Sequence, residues 1–151
     1  MKHLLIVYHT QSGTCAGLAQ ALAAGAAEEA GVVPSIRRAW DAGTADLEAA
    51  DGLLLVAAEN SGTLAGAAKD FLDRTFYPAI DRGVVMPCAL VLSAGNDGRG
   101  AQRQAERIFK GYPFVPATET LILRGESTAE HLAQCRELGQ AFAAGLVMGI
   151  F

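Results

Sequence analysis

The residues with the clearest capacity for chemistry form one run, His9-Thr10-Gln11-Ser12-Gly13-Thr14-Cys15, in which small hydroxyl-bearing side chains surround a single glycine. The run follows an apolar segment of strand length, residues 4–8, and leads into a stretch with helical spacing. Free N–H groups at the start of a helix, and the positive end of its dipole, favour an anion there. Gly13 permits close backbone approach, and Thr10, Ser12 and Thr14 can donate hydroxyl hydrogen bonds without adding charge. A monoester phosphate suits that donor set. The same pattern also makes an ordinary strand-to-helix turn capped by hydroxyls, so the run needs company before it identifies a ligand. His9 reads as an exposed loop residue.

Two further loops supply the company. Glu59-Asn60-Ser61-Gly62-Thr63 follows the apolar run 53–57, and Ala94-Gly95-Asn96-Asp97-Gly98-Arg99 follows the run 88–92. Each is rich in glycine and hydrogen-bonding groups, and taken singly each reads as a turn. Together with the first run they place three flexible, polar loops at successive strand ends, an arrangement that can grip a planar heterocycle by its ring nitrogens and carbonyls.

The elements that must position these loops follow from hydrophobic periodicity. Residues 4–8, 53–57 and 88–92 are near-continuous apolar runs, the pattern of strands covered on both faces of a parallel sheet. Residues 32–37 carry Pro34 and residues 120–123 are brief, so both suit edge positions. Between the strands, Cys15, Leu18, Ala19, Leu22, Ala23 and Ala26 recur at helical steps with a mostly methyl-sized face, ending near Gly31. Further helices are expected over 44–50, with Thr44 as cap, over 64–74 and over 100–110. A last helix opens on Ser127-Thr128-Ala129-Glu130 and presents Leu132, Cys135, Leu138, Phe142 and Leu146 as a stripe. Strand–helix alternation of this kind implies one doubly wound α/β domain over residues 1–151: a five-stranded parallel sheet between two helix layers, with its ligand beyond the carboxyl ends of the strands.

Composition narrows the class. A chain of 151 residues that is 51% hydrophobic but 7% aromatic builds a core from small residues, and its net charge of −4 offers no field for a nucleic-acid backbone. Apart from Arg37-Arg38 and the Arg99/Arg103/Arg107 spacing, basic residues are scattered, so no membrane-surface patch is expected. No apolar run reaches the ~18 residues of a membrane span, and Met1-Lys2-His3 leads directly into a strand without a secretory signal pattern. The three cysteines have neither CxxC nor metal-ligand spacing. The expectation is a cytoplasmic protein with no metal and a small-molecule substrate. Cys15 at a helix start could be a reactive thiol, but the simpler reading packs it beneath the loop, without a redox role.

Other nucleotide folds fail on these residues. GxxxxGK[ST] is absent, and GxGxxG does not follow the first strand; Arg37-Arg38 stands where a dinucleotide fold would place an acid. A receiver domain would need acidic residues at Tyr8-His9-Thr10 and a phosphorylatable Asp within Ala58-Glu59-Asn60.

The three loops, with Gly66-Ala67-Ala68-Lys69-Asp70-Phe71-Leu72-Asp73-Arg74 after the second, resemble the flavodoxin-like family over essentially the whole chain, in particular its short NAD(P)H-dependent FMN reductases or flavodoxin-family proteins. The resemblance implies strand order 2-1-3-4-5. It also implies an FMN phosphate on Thr10, Gln11, Ser12, Gly13, Thr14 and Cys15, and an isoalloxazine ring bordered by Glu59, Asn60, Ser61, Gly62 and Thr63 and by Ala94, Gly95, Asn96, Asp97, Gly98 and Arg99. Arg99 reads either as a solvated loop residue or as a contact to FMN or to an NADPH phosphate. Two positions differ from the family pattern. Cys15 stands where a Thr usually closes the phosphate loop. Ser61 and Thr63 are small where aromatic residues often flank the ring, which removes a stacking contribution of about 1 kcal/mol. The implied activity is transfer of hydride from NAD(P)H to FMN and onward to a small acceptor, a quinone or a second flavin, with no acid–base side chain required and with a homodimer as the family's common assembly. Two alternatives share the fold: an FMN electron carrier for redox proteins, which would be expected to be more acidic, and an interaction domain without flavin.

Overall fold

The computed structural model describes residues 1–151. Strands β1 (Lys2–Tyr8), β2 (Val32–Arg38), β3 (Gly52–Asn60) and β5 (Pro87–Ala94) form the body of a parallel sheet. Its order is β2-β1-β3-β5, and the far side of β5 is completed by β6 (Val115–Pro116) and β7 (Leu121–Arg124) in line along one edge. The expected order 2-1-3-4-5 is therefore present, but the strand count is seven and not five. The outer strand is split, because residues 118–120 bow away from β5 between Ala117, whose N–H still donates to the Cys88 carbonyl at 2.8 Å, and Leu121. The second addition is β4 (Thr63–Leu64), which turns back antiparallel onto Glu59 and Asn60.

The sheet is buried on both faces, as its continuous apolar runs require. In β1, Leu5 and Val7 join one core with β3 residues Leu53, Leu55 and Ala57 and β5 residues Leu90 and Leu92. Leu4 and Ile6 join the opposite core with Leu54, Val56, Ala89 and Val91. Helices α3 (Gly66–Asp81) and α4 (Arg99–Gly111) seal the first core, and α1 (Thr14–Ala26) and α5 (Ala129–Met148) seal the second. The methyl-sized face of α1 has a steric reason. A Cβ on Gly25 would lie 1.9 Å from the Arg136 carbonyl oxygen, and one on Gly139 of α5 would lie 2.0 Å from that of Leu22. The two helices thus meet backbone to backbone.

Several boundaries differ from the sequence reading. Helix α3 runs past Arg74 to Asp81, through Pro78, because Thr75 and Ala79 are buried and the Thr75 hydroxyl lies 2.8 Å from that of Tyr112. Local propensity is weak there, and tertiary packing carries the helix. The short α2 (Thr44–Glu48) is capped at Gly43 and not by Thr44; the Asp46 carboxylate accepts from Gly43 N–H at 2.8 Å. On α5 the Thr128 hydroxyl accepts from His131 N–H at 3.1 Å as the cap motif predicts, but Leu132 is 40% exposed and leaves the stripe. No helix is long and apolar enough to cross a membrane.

Candidate functional site

The three polar loops lie side by side at the carboxyl ends of β1, β3 and β5, which are adjacent in the sheet. The first bends sharply into α1. Gly13 stands at φ +99°, a left-handed conformation that favours glycine, and its N–H donates to Thr10 Oγ1 at 2.9 Å. The first intrahelical bond runs from Gly17 N–H to the Gly13 carbonyl at 3.1 Å. The N–H groups of Thr14, Cys15 and Ala16 therefore precede the ladder, with no side-chain cap and no acidic residue in the first turn. Gln11, Ser12 and Gly13 are exposed and Thr10 and Thr14 half-buried. This is an open nest of neutral donors at the positive end of a thirteen-residue helix, and it suits a phosphate group.

Cys15 contributes only its backbone to that nest. Its side chain is buried in the core with Cys135, and burial pushes the thiol up to about 11, so it stays protonated despite the helix terminus. The thiol packs beneath the loop.

The second loop is a tight hairpin. Ser61 (φ +51°) and Gly62 (φ +78°) both adopt left-handed conformations between β3 and β4, and the Thr63 hydroxyl donates to the Asn60 carbonyl at 3.0 Å. Asn60 Nδ2 donates to Gln11 Oε1 at 2.8 Å, tying the hairpin to the phosphate turn. Glu59 faces the other way. Its Oε1 accepts from Gly98 N–H at 2.9 Å and its Oε2 from Ala101 N–H at 3.1 Å, so its carboxylate holds the start of α4 and is a strut between the second and third loops. Gly100 completes that junction: a Cβ there would lie 2.1 Å from the Gly62 carbonyl oxygen.

In the third loop Gly95 and Asn96 are exposed, Ala94 and Gly98 buried, and Asp97 half-buried. Asp97 bonds Arg99 Nε at 2.7 Å, and that guanidinium, together with the Arg99 N–H, holds the carboxyl below the usual carboxylate range. Arg124, at the end of β7, donates to the Asp97 carbonyl at 2.8 Å. Arg99 is thus committed to its own loop. Hydrogen bonds link the three loops in series, Gln11 to Asn60 and Glu59 to Gly98 and Ala101, and Arg124 ties the third loop to the end of β7.

The sequence reading missed Trp40, the only tryptophan. It lies just past β2 beside the first loop, 59% exposed, edge-on to His9 with ring centroids 6.0 Å apart. Its signal was available: a lone indole two residues after Arg38, just past the end of a strand paired with β1. Larger recesses, of about 440 and 510 Å³, flank residues 118–120 where the outer strand bows out, remote from the loops.

No family model and no curated protein matches the sequence. Solved structures do match the fold. A flavodoxin from the domain Archaea superposes with a TM-score of 0.84 at 18% identity, covering 95% of this chain and 98% of that one. The chain has the flavodoxin fold. A flavodoxin, WrbA-like protein from Agrobacterium tumefaciens agrees over 98% of this chain and 99% of that one (TM-score 0.82, 16% identity). A flavodiiron core from Synechocystis matches at TM-score 0.82 and 21% identity over 98% of this chain, which spans only 36% of that one. The flavodoxin fold therefore accounts for nearly the whole chain, with its three polar loops at one end of the sheet.

Proposed function

We propose that the protein is a flavin-dependent oxidoreductase that holds the FMN moiety at these loops, takes reducing equivalents from NAD(P)H and delivers them to a small acceptor such as a quinone or a second flavin. The observation that carries this reading is the uncapped start of α1, open to an anion at the carboxyl end of a central strand. Fold relatives named flavodoxin and flavodiiron support a flavin there.

The donor set fits the group. The N–H groups of Thr14, Cys15 and Ala16 and the hydroxyls of Thr10, Ser12 and Thr14 would hold the phosphate. The hairpin of Asn60, Ser61, Gly62 and Thr63 and the loop of Ala94 to Arg99 would border the ring. FMN, when bound, supplies the hydride-accepting and electron-donating chemistry, so the chain needs no acid–base residue of its own. Its residues position and expose. Glu59 fixes the hairpin against α4, Gln11 and Asn60 fix it against the phosphate turn, and the small side chains at the tip leave room for a nicotinamide to approach.

Anaerobic addition of NADPH to the FMN-loaded protein tests the reading. Bleaching of the flavin absorbance faster than that of free FMN is the expected result. Binding without bleaching would replace the reductase with an electron carrier, and absence of flavin binding would leave only the fold.

A further inference from the structure

The phosphate turn has a neighbour on each side, because β1 lies between β3 and β2. On the β3 side stands the Asn60–Thr63 hairpin, where the flavin ring would lie. On the β2 side is a recess of about 210 Å³ lined by Tyr8, His9, Thr10, Arg38 and Trp40. Thr10 belongs to both, so the recess opens directly onto the turn.

The walls of this recess are fixed from behind. Ala39 N–H donates to the Tyr8 carbonyl at 2.7 Å, and His9 N–H to the Val56 carbonyl at 3.1 Å. Arg74 of α3 donates through Nη2 to the Ala39 carbonyl at 2.7 Å and through Nη1 to that of Ala42 at 3.0 Å, clamping the segment on either side of Trp40. On this held backbone the indole stays 59% exposed, with His9 meeting it by an edge. Arg38 bonds Asp41 through Nε at 2.8 Å, which leaves its two terminal nitrogens for an anion. An aromatic platform, a cation and a phosphate nest in sequence match a base, a second phosphate and a first phosphate. The volume is below the roughly 300–1,000 Å³ of pockets that enclose a whole drug-sized ligand, so it suits one ring system.

We propose that the site takes its flavin as the dinucleotide, with the adenosine half of FAD crossing the turn toward β2, its second phosphate near Arg38 and its adenine stacked on Trp40. This rests on the flavin reading above and specifies which flavin the chain selects. A flavin with a single phosphate has one ring to place, and leaves the β2 side of the turn unused.

Titrations of FMN and FAD against the wild-type protein and Trp40→Leu test it, with ADP quenching of Trp40 emission as a second readout. The indole is exposed, so the variant removes little packing. FAD binds the wild type at least tenfold more tightly than FMN; in Trp40→Leu the two fall within threefold of each other, with FMN unchanged. ADP quenches the indole of the unloaded protein and fails to do so once FMN fills the turn. FAD binding no tighter than FMN, or a preference that survives in Trp40→Leu, overturns the proposal while sparing the flavin reading. So does ADP quenching undiminished by FMN, which would assign the recess to a separate nucleotide. Binding of neither flavin overturns both.

Discussion

Helices α1 and α4 begin almost identically and end up in opposite electrostatic states. Each follows a central parallel strand and each is entered through a left-handed glycine, Gly13 at φ +99°, ψ −16° and Gly98 at φ +93°, ψ −16°, with no side-chain cap from that residue. At α4 the protein supplies its own anion: the Glu59 carboxylate accepts from both Gly98 and Ala101 N–H groups. At α1 no acidic side chain is placed in the first turn, and the loop carries hydroxyls instead. The same backbone device is thus closed at one strand end and left open at the next. The closed copy shows what the geometry accepts, a carboxylate held by N–H groups, and the open copy is where an external anion has its best chance.

The largest effect should come from closing the open copy. Ser12→Asp puts a carboxylate into the α1 turn, where it competes with a phosphate and repels it. FMN affinity should fall about 100-fold, equivalent to roughly 2.8 kcal/mol, in a flavin titration. The fold should persist, since Ser12 is exposed, and an unchanged affinity would break the comparison.

Opening the closed copy acts on stability. Glu59→Ala leaves the N–H groups of the buried residues Gly98 and Ala101 at the start of α4 without their acceptor, and should cost about 1–3 kcal/mol in urea unfolding. Glu59→Gln, which keeps an acceptor oxygen and loses the charge, should recover part of it.

The two glycines separate conformation from crowding. At Gly13 an added Cβ meets nothing within 4 Å, so Gly13→Ala should cost only the left-handed strain, about 1–2 kcal/mol. At Gly98 the same Cβ would lie 2.6 Å from Ile122 Cγ2 and 3.2 Å from the Ala94 Cβ, so Gly98→Ala should cost about 1 kcal/mol more. Equal losses would mean that α4's tighter setting has no energetic consequence.

The smallest effect is visible only in alkali. Burial pushes Cys15 up to about 11 and Cys88 and Cys135 up to about 12. These thiols hold their protons in the folded chain after the unfolded chain has begun to lose them. Their contribution is therefore fully present below about pH 9 and declines as pH rises through 11–12. The urea midpoint should fall over that window, and Cys15→Ala should flatten the fall. At pH 8 the native protein should resist thiol alkylation. Rapid labelling of Cys15 would place its thiol in the α1 turn, and not in the core beside Cys135.

How far the sequence announces this molecule depends on the range of the forces involved. The central strands are legible because burial on both faces writes an unbroken apolar run, and the Thr10–Thr14 turn is legible because cap chemistry is local. The two-residue strand β4 is too short for any period, and its pairing is made by the left-handed pair Ser61-Gly62. The reach of α3 beyond Arg74 depends on Tyr112, far along the chain, against a local run of Thr75-Phe76-Tyr77-Pro78 that disfavours helix. Glu59 is legible as a polar loop residue, but its role on α4 is set by a contact some forty residues away. Trp40 acquires meaning only through the β1–β2 register, which sets Tyr8 against Arg38 and brings the indole beside His9.

If the open start of α1 holds the phosphate of a flavin, affinity must depend on that phosphate. The most direct measurement compares FMN with riboflavin, identical in ring and ribityl chain but lacking the phosphate, in equilibrium titrations of the wild-type protein. The predicted result is saturable FMN binding with riboflavin at least about tenfold weaker, a difference of roughly 1.4 kcal/mol or more. Equal affinities, or no binding of FMN, would contradict a phosphate site at α1.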